Sequence, residues 1–225
     1  LNNIRIAIDG PAGAGKSTIA KKIARSVGIV YLDTGAMYRA VGLEAIRAGV
    51  ELTDKSGLAE LMKSIDINVV YKDGEQSITI RGEDVSGKIR TPEVSKAASL
   101  VAAVPEVRLK LVELQRQIAA KQSVVMDGRD IGTYVLPDAE VKIFLTATVA
   151  ERARRRYEEL LDKDMKVSLE EIAKDIEQRD YNDSTRAFAP LKKADDAVEI
   201  DTTTLTIDEV VEKVKTLAWK RMGKC

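Results

Sequence analysis

Residues 4–24 read IRIAIDGPAGAGKSTIAKKIA, and the fold class follows from them. The apolar run Ile4–Ile8 has the character of a short buried strand, and a helix is expected to start near Ser17. Between them Gly10-Pro11-Ala12-Gly13-Ala14-Gly15-Lys16-Ser17 satisfies the pattern G-x-x-x-x-G-K-[ST], the Walker A loop, in full. Strand before and helix after is the context that pattern requires. Glycines let the backbone turn tightly and aim N–H groups at phosphate oxygens. The helix N-terminus adds positive potential. Lys16 can reach the β- and γ-phosphates, and the Ser17 hydroxyl can ligate Mg²⁺. With Thr18 these residues form the expected ATP-binding segment.

Outward from the loop, further apolar runs read as buried strands: Ile29 to Leu32, Val124 to Met126, Val141 to Leu145 and Ala197 to Ile200. Helical patterns separate them, so the alternation predicts a parallel sheet covered on both faces. Thr91-Pro92-Glu93 supplies an N-cap, a first-turn proline and a carboxylate near the helix dipole. Ser168 with Glu171, and Thr206 with Glu209, have capping-box spacing, and Gly49 stands where a C-terminal cap is expected. Residues 65–90 break the alternation. Asp73-Gly74 lies between two strand-like runs, with Val69, Tyr71, Ile78 and Ile80 alternating with polar residues, which predicts an inserted antiparallel hairpin. The organisation expected is a core of residues 1–64 and 91–225 interrupted by the 65–90 insert.

Composition narrows the function. Lys+Arg and Asp+Glu both number 36, so any anion site must be local, and nothing global points to a nucleic-acid or membrane partner. There is no histidine and one cysteine, Cys225, which excludes a zinc centre, a Ser-His-Asp triad and an internal disulfide. LNNIRIAID leads straight into a strand without a signal-peptide pattern, and no apolar run reaches the ~18 residues of a membrane span. A protein of the cytoplasm is expected.

No Asn-Lys-x-Asp stretch is present to read guanine. The chain carries arginines instead: Arg39 in DTGAMYR, Arg129 in DGRDIGT, Arg152 to Arg156, and Arg179 with Asp183 and Arg186. Two of these stretches follow predicted parallel strands, at whose carboxyl ends ligands of open α/β sheets bind. Arg179, Asp183 and Arg186 fall at i, i+4 and i+7, one face if the helix runs that far, and Arg152, Arg155 and Arg156 cluster likewise. Taken singly, an Arg–Asp pair is commonly a surface ion pair and an arginine run a solvated helix face. Beside a Walker loop they have a reason to converge, namely a second anionic substrate.

The chain resembles the bacterial cytidylate kinases from end to end. The resemblance is carried by IDGPAGAGKST (8–18), YLDTGAMYR (31–39), GEDVSGKIRTPEVS (82–95), VVMDGRDIGT (124–133), VKIFLTA (141–147), QRDYNDSTRAFAPL (178–191) and ADDAVEIDTT (194–203). It implies a P-loop kinase three-layer α/β fold with a five-stranded parallel sheet. It also implies a small antiparallel β insert in the monophosphate-binding region, and a short lid at about 152–166. The implied reaction moves the γ-phosphoryl group of ATP to CMP or dCMP, with Mg²⁺, in a monomeric enzyme. Thr34, Arg39 and Arg129 resemble an acceptor-phosphate clamp, and Ser99, Arg108 and Asp130 the cytosine readers. Arg179 and Asp183 resemble ribose contacts, Arg186 a residue between the two phosphate groups, and Arg152, Arg155 and Arg156 lid arginines over ATP. Asp127 is the candidate for a water-mediated Mg²⁺ contact and Asp33 the alternative; either can equally be a loop-capping carboxylate.

Chemistry agrees with these roles. Cytosine presents an N4 amino donor beside the N3 acceptor, so a carboxylate and an arginine are its complements. Two other readings stand beside this one. A P-loop kinase for UMP, AMP or a small metabolite such as shikimate explains the loop but not the Asp130/Arg108 pair. A non-catalytic nucleotide sensor leaves the arginines without a purpose.

Overall fold

The computed structural model describes residues 3–72, 75–162 and 164–221; the Asp73-Gly74 turn and Cys225 lie outside them. In chain order the first elements are β1 (Arg5–Asp9), α1 (Lys16–Val27), β2 (Val30–Asp33), α2 (Thr34–Arg47) and α3 (Lys55–Ser64). Next come β3 (Ile67–Lys72), β4 (Glu75–Ile80), β5 (Glu83–Asp84), α4 (Pro92–Val101), α5 (Pro105–Lys121) and β6 (Val124–Gly128). A π-helical turn, Ile131–Val135, precedes β7 (Val141–Thr146), α6 (Val149–Leu161), α7 (Leu169–Thr185), β8 (Val198–Asp201) and α8 (Ile207–Arg221). The strands form a five-stranded sheet in the order β2-β6-β1-β7-β8 and a three-stranded sheet in the order β3-β4-β5. Both expected sheets are therefore present, and the chain divides into two compact units, Leu1–Ile29 with Ser123–Cys225, and Val30–Gln122.

In the first unit β1 pairs in parallel with β6 and with β7, and β7 with β8. Ile6, Ala7 and Ile8 are fully buried, as a central strand covered on both faces requires. The register sets Asp9 beside Gly128 on one flank and Phe144 on the other. From there the chain enters the phosphate loop, where Gly10, Gly13 and Gly15 take φ values of 148°, 77° and 86°. Gly15 is the left-handed N-cap of α1 and provides no side-chain cap, so the first amides of that helix keep their bonding capacity for a ligand.

The caps read from the sequence are in place. Thr91 accepts from Val94 N at 3.2 Å ahead of Pro92, and Ser168 accepts from Glu171 N at 3.5 Å. Thr206 and Glu209 form a reciprocal capping box, with bonds of 2.8 and 3.3 Å. Gly49, at φ 66°, follows Ala48 at the end of α2 and donates to Ile46 O. One helix differs from its expected extent: α7 stops at Thr185, and Arg186 turns to φ −60°, ψ 141°. Arg179 and Asp183 thus share a helix while Arg186 begins a new segment. Between α6 and α7, Ala153, Leu160, Ile172 and Ile176 form a small buried cluster that holds the two helices together.

In the second unit β3 and β4 pair antiparallel from Ile67↔Ile80 to Lys72↔Glu75. Ile67, Ile78 and Ile80 fill the buried side of the predicted alternation. Helices α2 and α4 approach closely because Gly42 has no side chain; a Cβ there would stand 3.0 Å from the Ala97 Cβ.

Gly10 is the tightest backbone contact of the phosphate loop. A Cβ at this position would lie 2.0 Å from Leu145 O, at a φ that L-residues avoid. Gly10→Ala should cost about 3 kcal/mol of stability through strain at a special backbone position and abolish ADP binding. Unchanged melting with intact ADP affinity would show that the turn has room to spare.

Candidate active site

The phosphate loop is pre-arranged around Lys16. Its ammonium is buried and donates to Pro11 O at 2.6 Å, inside the loop it is meant to serve. Burial pushes the Lys16 pKa down to about 7, with Arg129 adding to the fall and Asp127, Asp183 and Asp9 opposing it. Ser17 Oγ donates to Asp127 Oδ2 at 2.7 Å, which joins the first turn of α1 to the end of β6. No group of three or more acidic, histidine or cysteine side chains suited to a metal occurs among the described residues. One hydroxyl and one carboxylate nevertheless fit Mg²⁺, which takes few protein ligands and completes its shell with phosphates and water. Asp33, the alternative, is committed elsewhere: it caps α2 by accepting from Ala36 N at 2.8 Å and pairs with Arg39 at 2.9 Å.

Around the loop end of β6 lies an ion network. Arg129 Nε donates to Asp183 at 2.7 Å, and Arg186 reaches Asp183 at 3.7 Å and Asp130 at 3.4 Å. Burial works against the Arg129 charge, but Asp183 outweighs it and the pKa lies above the ordinary arginine value. Burial likewise acts to raise Asp183, yet Arg129, Arg186 and Arg179 hold its pKa below the usual carboxylate value. The segment after α7 is folded back: Arg186 Nε donates to Ala189 O at 2.7 Å, Leu191 N to Asp183 O at 2.7 Å, and Phe188 stacks edge-on against Tyr134 with centroids 5.0 Å apart. A positive φ of 46° at Ala189 makes this hook.

The three arginines of α6 expected over ATP, Arg152, Arg155 and Arg156, part company. Arg152 is buried, pairs with Asp180 at 2.6 Å and donates to Ala12 O of the phosphate loop at 3.0 Å. Arg155 bonds Glu151 at 2.8 Å and Thr202 Oγ1 at 3.1 Å, and Arg156 pairs with Glu159 at 2.7 Å. Glu151 is held down to about 2 by Arg154 first and by Arg155. Arg155 and Arg156 border a groove of about 560 Å³ that runs from the phosphate loop, Gly13 to Thr18, to Thr202, Leu205, Thr206 and Ile207.

Four predicted residues belong to the second unit. Thr34 opens α2 and is buried, and the Nε of Arg39 is buried without a hydrogen-bond partner while its Nη2 holds Asp33. Arg108 is 1% exposed, donates to Ala102 O at 3.3 Å and lies 5.5 Å from the Tyr38 ring centre, a cation–π contact. Ser99 lies within α4, partly exposed.

Two residues escaped the sequence reading. Asp9 accepts from Ile131 N at 2.8 Å and Gly132 N at 2.7 Å, and burial pushes it up to about 7 although both amides pull it down. Thr202 is buried and bonds Arg155, Ala14 O at 3.4 Å and Thr146 O at 3.1 Å. Both occupy strand ends, at Asp9 of β1 and one residue beyond β8, which is the one signal that could have found them.

A family model described as cytidylate kinase matches residues 6–220. The chain is 51% identical over 223 residues to a cytidylate kinase of Caldicellulosiruptor saccharolyticus, covering 99% of each. It is 53% identical to one from Lactobacillus johnsonii, covering 97% of this chain and 95% of that one, and 54% identical to one from Bacillus licheniformis, covering 97% of each. Among solved structures it is similar to an uncharacterised protein from Eubacterium ventriosum (TM-score 0.52, 14% identity, 95% and 97% coverage) and a gluconokinase from Sinorhizobium meliloti (TM-score 0.50, 13% identity, 98% and 94%). These two likenesses concern the fold alone.

The Lys16 shift has a signed consequence. A folded pKa of about 7, below the ordinary 10.5, gives stability that is present above 10.5 and lost as pH falls towards 7. Bound phosphate reverses the preference by favouring the ammonium. At a pH midway between 7 and 10.5, ADP binding should therefore take up close to one proton, read calorimetrically in buffers of different ionisation enthalpy. Lys16→Met should remove the uptake; equal enthalpies in all buffers for the parent protein would refute a neutral lysine.

Proposed function

The chain belongs to the cytidylate kinase family, and we propose how its residues divide the reaction of that family, transfer of the γ-phosphoryl group of ATP to CMP or dCMP. The match over residues 6–220 decides against the readings as a kinase of another acceptor or a non-catalytic sensor. One observation carries the division of roles. The Arg129–Asp183–Arg186–Asp130 network is charge-balanced and largely withdrawn from solvent, and two of its members, Arg129 and Asp183, act on the charge of Lys16 in the phosphate loop.

Gly10 to Thr18 take the ATP phosphates, with Lys16 on the β- and γ-groups. Arg155 and Arg156 flank them from α6, and the groove past Thr202 to Ile207 suits the flat adenine ring. Arg152 leaves Ala12 O for phosphate when the loop fills. Thr34, Arg39 and Arg129 receive the acceptor phosphate; the buried, unpartnered Nε of Arg39 supports this. Ser99, Arg108 and Asp130 read cytosine, Arg179 and Asp183 the ribose, and Arg186 stands between the phosphates. Ser17 and Asp127 would hold Mg²⁺, which supplies charge neutralisation when bound.

Two anions must meet. The acceptor oxygen of CMP is ionised near neutral pH, so no general base is required of a chain without histidine. Arginines that stay charged hold donor and acceptor in line and neutralise the transferring group. Residues 65–90 serve the monophosphate, and a lid at about 152–166 excludes the water that would otherwise hydrolyse ATP. A monomer in the cytoplasm, with nucleotides and not nucleic acid as partners, completes the proposal; the balance of 36 basic and 36 acidic residues supports the last point alone.

ADP formation measured with CMP, dCMP, UMP and AMP should be fastest with the two cytidylates, and equal rates on all four would refute cytosine reading. Asp183→Ala should lower kcat/KM for both cytidylates by freeing Arg129. CMP should suffer more, by about 1.5–3 kcal/mol if a charge-assisted bond to the 2′-hydroxyl is lost. Equal fractional losses would confine Asp183 to holding Arg129.

A further inference from the structure

Asp9 ends β1 and immediately precedes Gly10 of the phosphate loop. It is 4% exposed, and its two oxygens accept hydrogen bonds from backbone amides and not from a cation. Those amides, Ile131 N and Gly132 N, open the π-helical turn. Inside that turn Tyr134 N and Val135 N bond Asp130 O, and Leu136 N bonds Ile131 O, so the first two amides need an acceptor from elsewhere. Asp9 supplies it. A carboxylate holding both amides fixes the peptide planes on either side of Ile131, and with them the backbone direction from which the Asp130 side chain departs. Gly132 is part of the fit: a Cβ there would stand 3.4 Å from Asp9 Oδ2 and 3.2 Å from Lys142 Cδ. A buried carboxylate without a cation is costly, and a neutral side chain of that size would fill the space as well. What the carboxylate adds is two directed bonds to one short stretch of backbone.

We propose that Asp9 is a positioning residue for acceptor selection: it locks the Asp130–Gly132 backbone to the strand that launches the phosphate loop, so that the Asp130 carboxylate meets the acceptor base at a fixed place. The inference rests on the assignment of Asp130 to the base. It ties the donor loop and the acceptor-reading turn to a single side chain, and a displacement of the turn by a fraction of an ångström misplaces the reader while leaving the phosphate loop intact.

Asp9→Asn keeps the size but turns one acceptor into a donor that faces an amide N–H. Gly132→Ala leaves the Asp9 charge untouched and crowds the turn against Lys142, whose Cδ would stand 3.2 Å from the new Cβ and whose ammonium is held by Asp196. The readouts are kcat/KM for CMP and UMP, KM for ATP, and thermal melting, with Asp130→Asn measured alongside. Both variants should lower the CMP-to-UMP ratio about tenfold or more, the scale of a misplaced contact, while KM for ATP changes less than about threefold. A purely structural role predicts lower melting temperatures and equal losses on CMP and UMP; an unchanged ratio in both variants overturns the proposal. If Asp9→Asn does not fold, Gly132→Ala decides alone. An unchanged ratio in Asp130→Asn locates the failure in the base-reading assignment. A ratio that collapses in Asp130→Asn but survives in the other two locates it in Asp9.

Discussion

Strand β1 is hydrogen-bonded in parallel to β6 on one flank and β7 on the other, and the donor side of the site depends on where those three strands end. Because the strands run the same way, their carboxyl ends lie at one edge, and Asp9, Asp127 and Leu145 arrive there together. Gly10 can turn only because it has no Cβ; Leu145 O occupies that space. Ser17 then finds Asp127, and Asp9 finds the turn after β6. Each contact joins residues more than a hundred positions apart, and each follows from the register of one central strand.

The second organising demand is electrostatic. A kinase must bring two polyanions together, so the protein concentrates guanidinium groups where they cannot stay solvated. Burial without partners would drive those groups out, and the chain meets this with carboxylates interleaved among them: Asp183 for Arg129, Asp130 for Arg186, Asp180 for Arg152. Removing one member of such a pair strands the other charge, at a cost of about 3–5 kcal/mol. The even balance of 36 basic and 36 acidic residues is thus compatible with strongly positive local chemistry. Under the proposed roles, phosphate competes with these carboxylates for the same arginines.

Helix ends and strand ends carry several of the residues proposed for the site. Gly15 leaves the start of α1 uncapped, Asp33 caps α2 and holds Arg39, and α7 stops one residue before Arg186 so that this side chain departs on a hooked segment. The hook is made by Ala189 at positive φ and by Phe188 against Tyr134. Neither feature was legible in advance, since an alanine at positive φ has no local signature and an aromatic pair 54 positions apart has none either.

The sheet type, the phosphate loop, the antiparallel insert, the helix caps and the family are legible in the residues alone, because each is local: a period, a cap spacing or a contiguous motif. Lys16, Ser17 and the arginines could be named from their motifs in the same way. Their partners came from the folded arrangement. It sent Arg152 inward to Asp180 and Ala12 while leaving Arg155 and Arg156 on the groove. It gave Asp127 to Ser17 and Asp33 to Arg39, and gave Asp9 the turn at Ile131 and Gly132. The physical reason is that a side chain's type records what it can bond, whereas strand register, burial and the end point of a helix fix which of several chemically equivalent partners comes within reach.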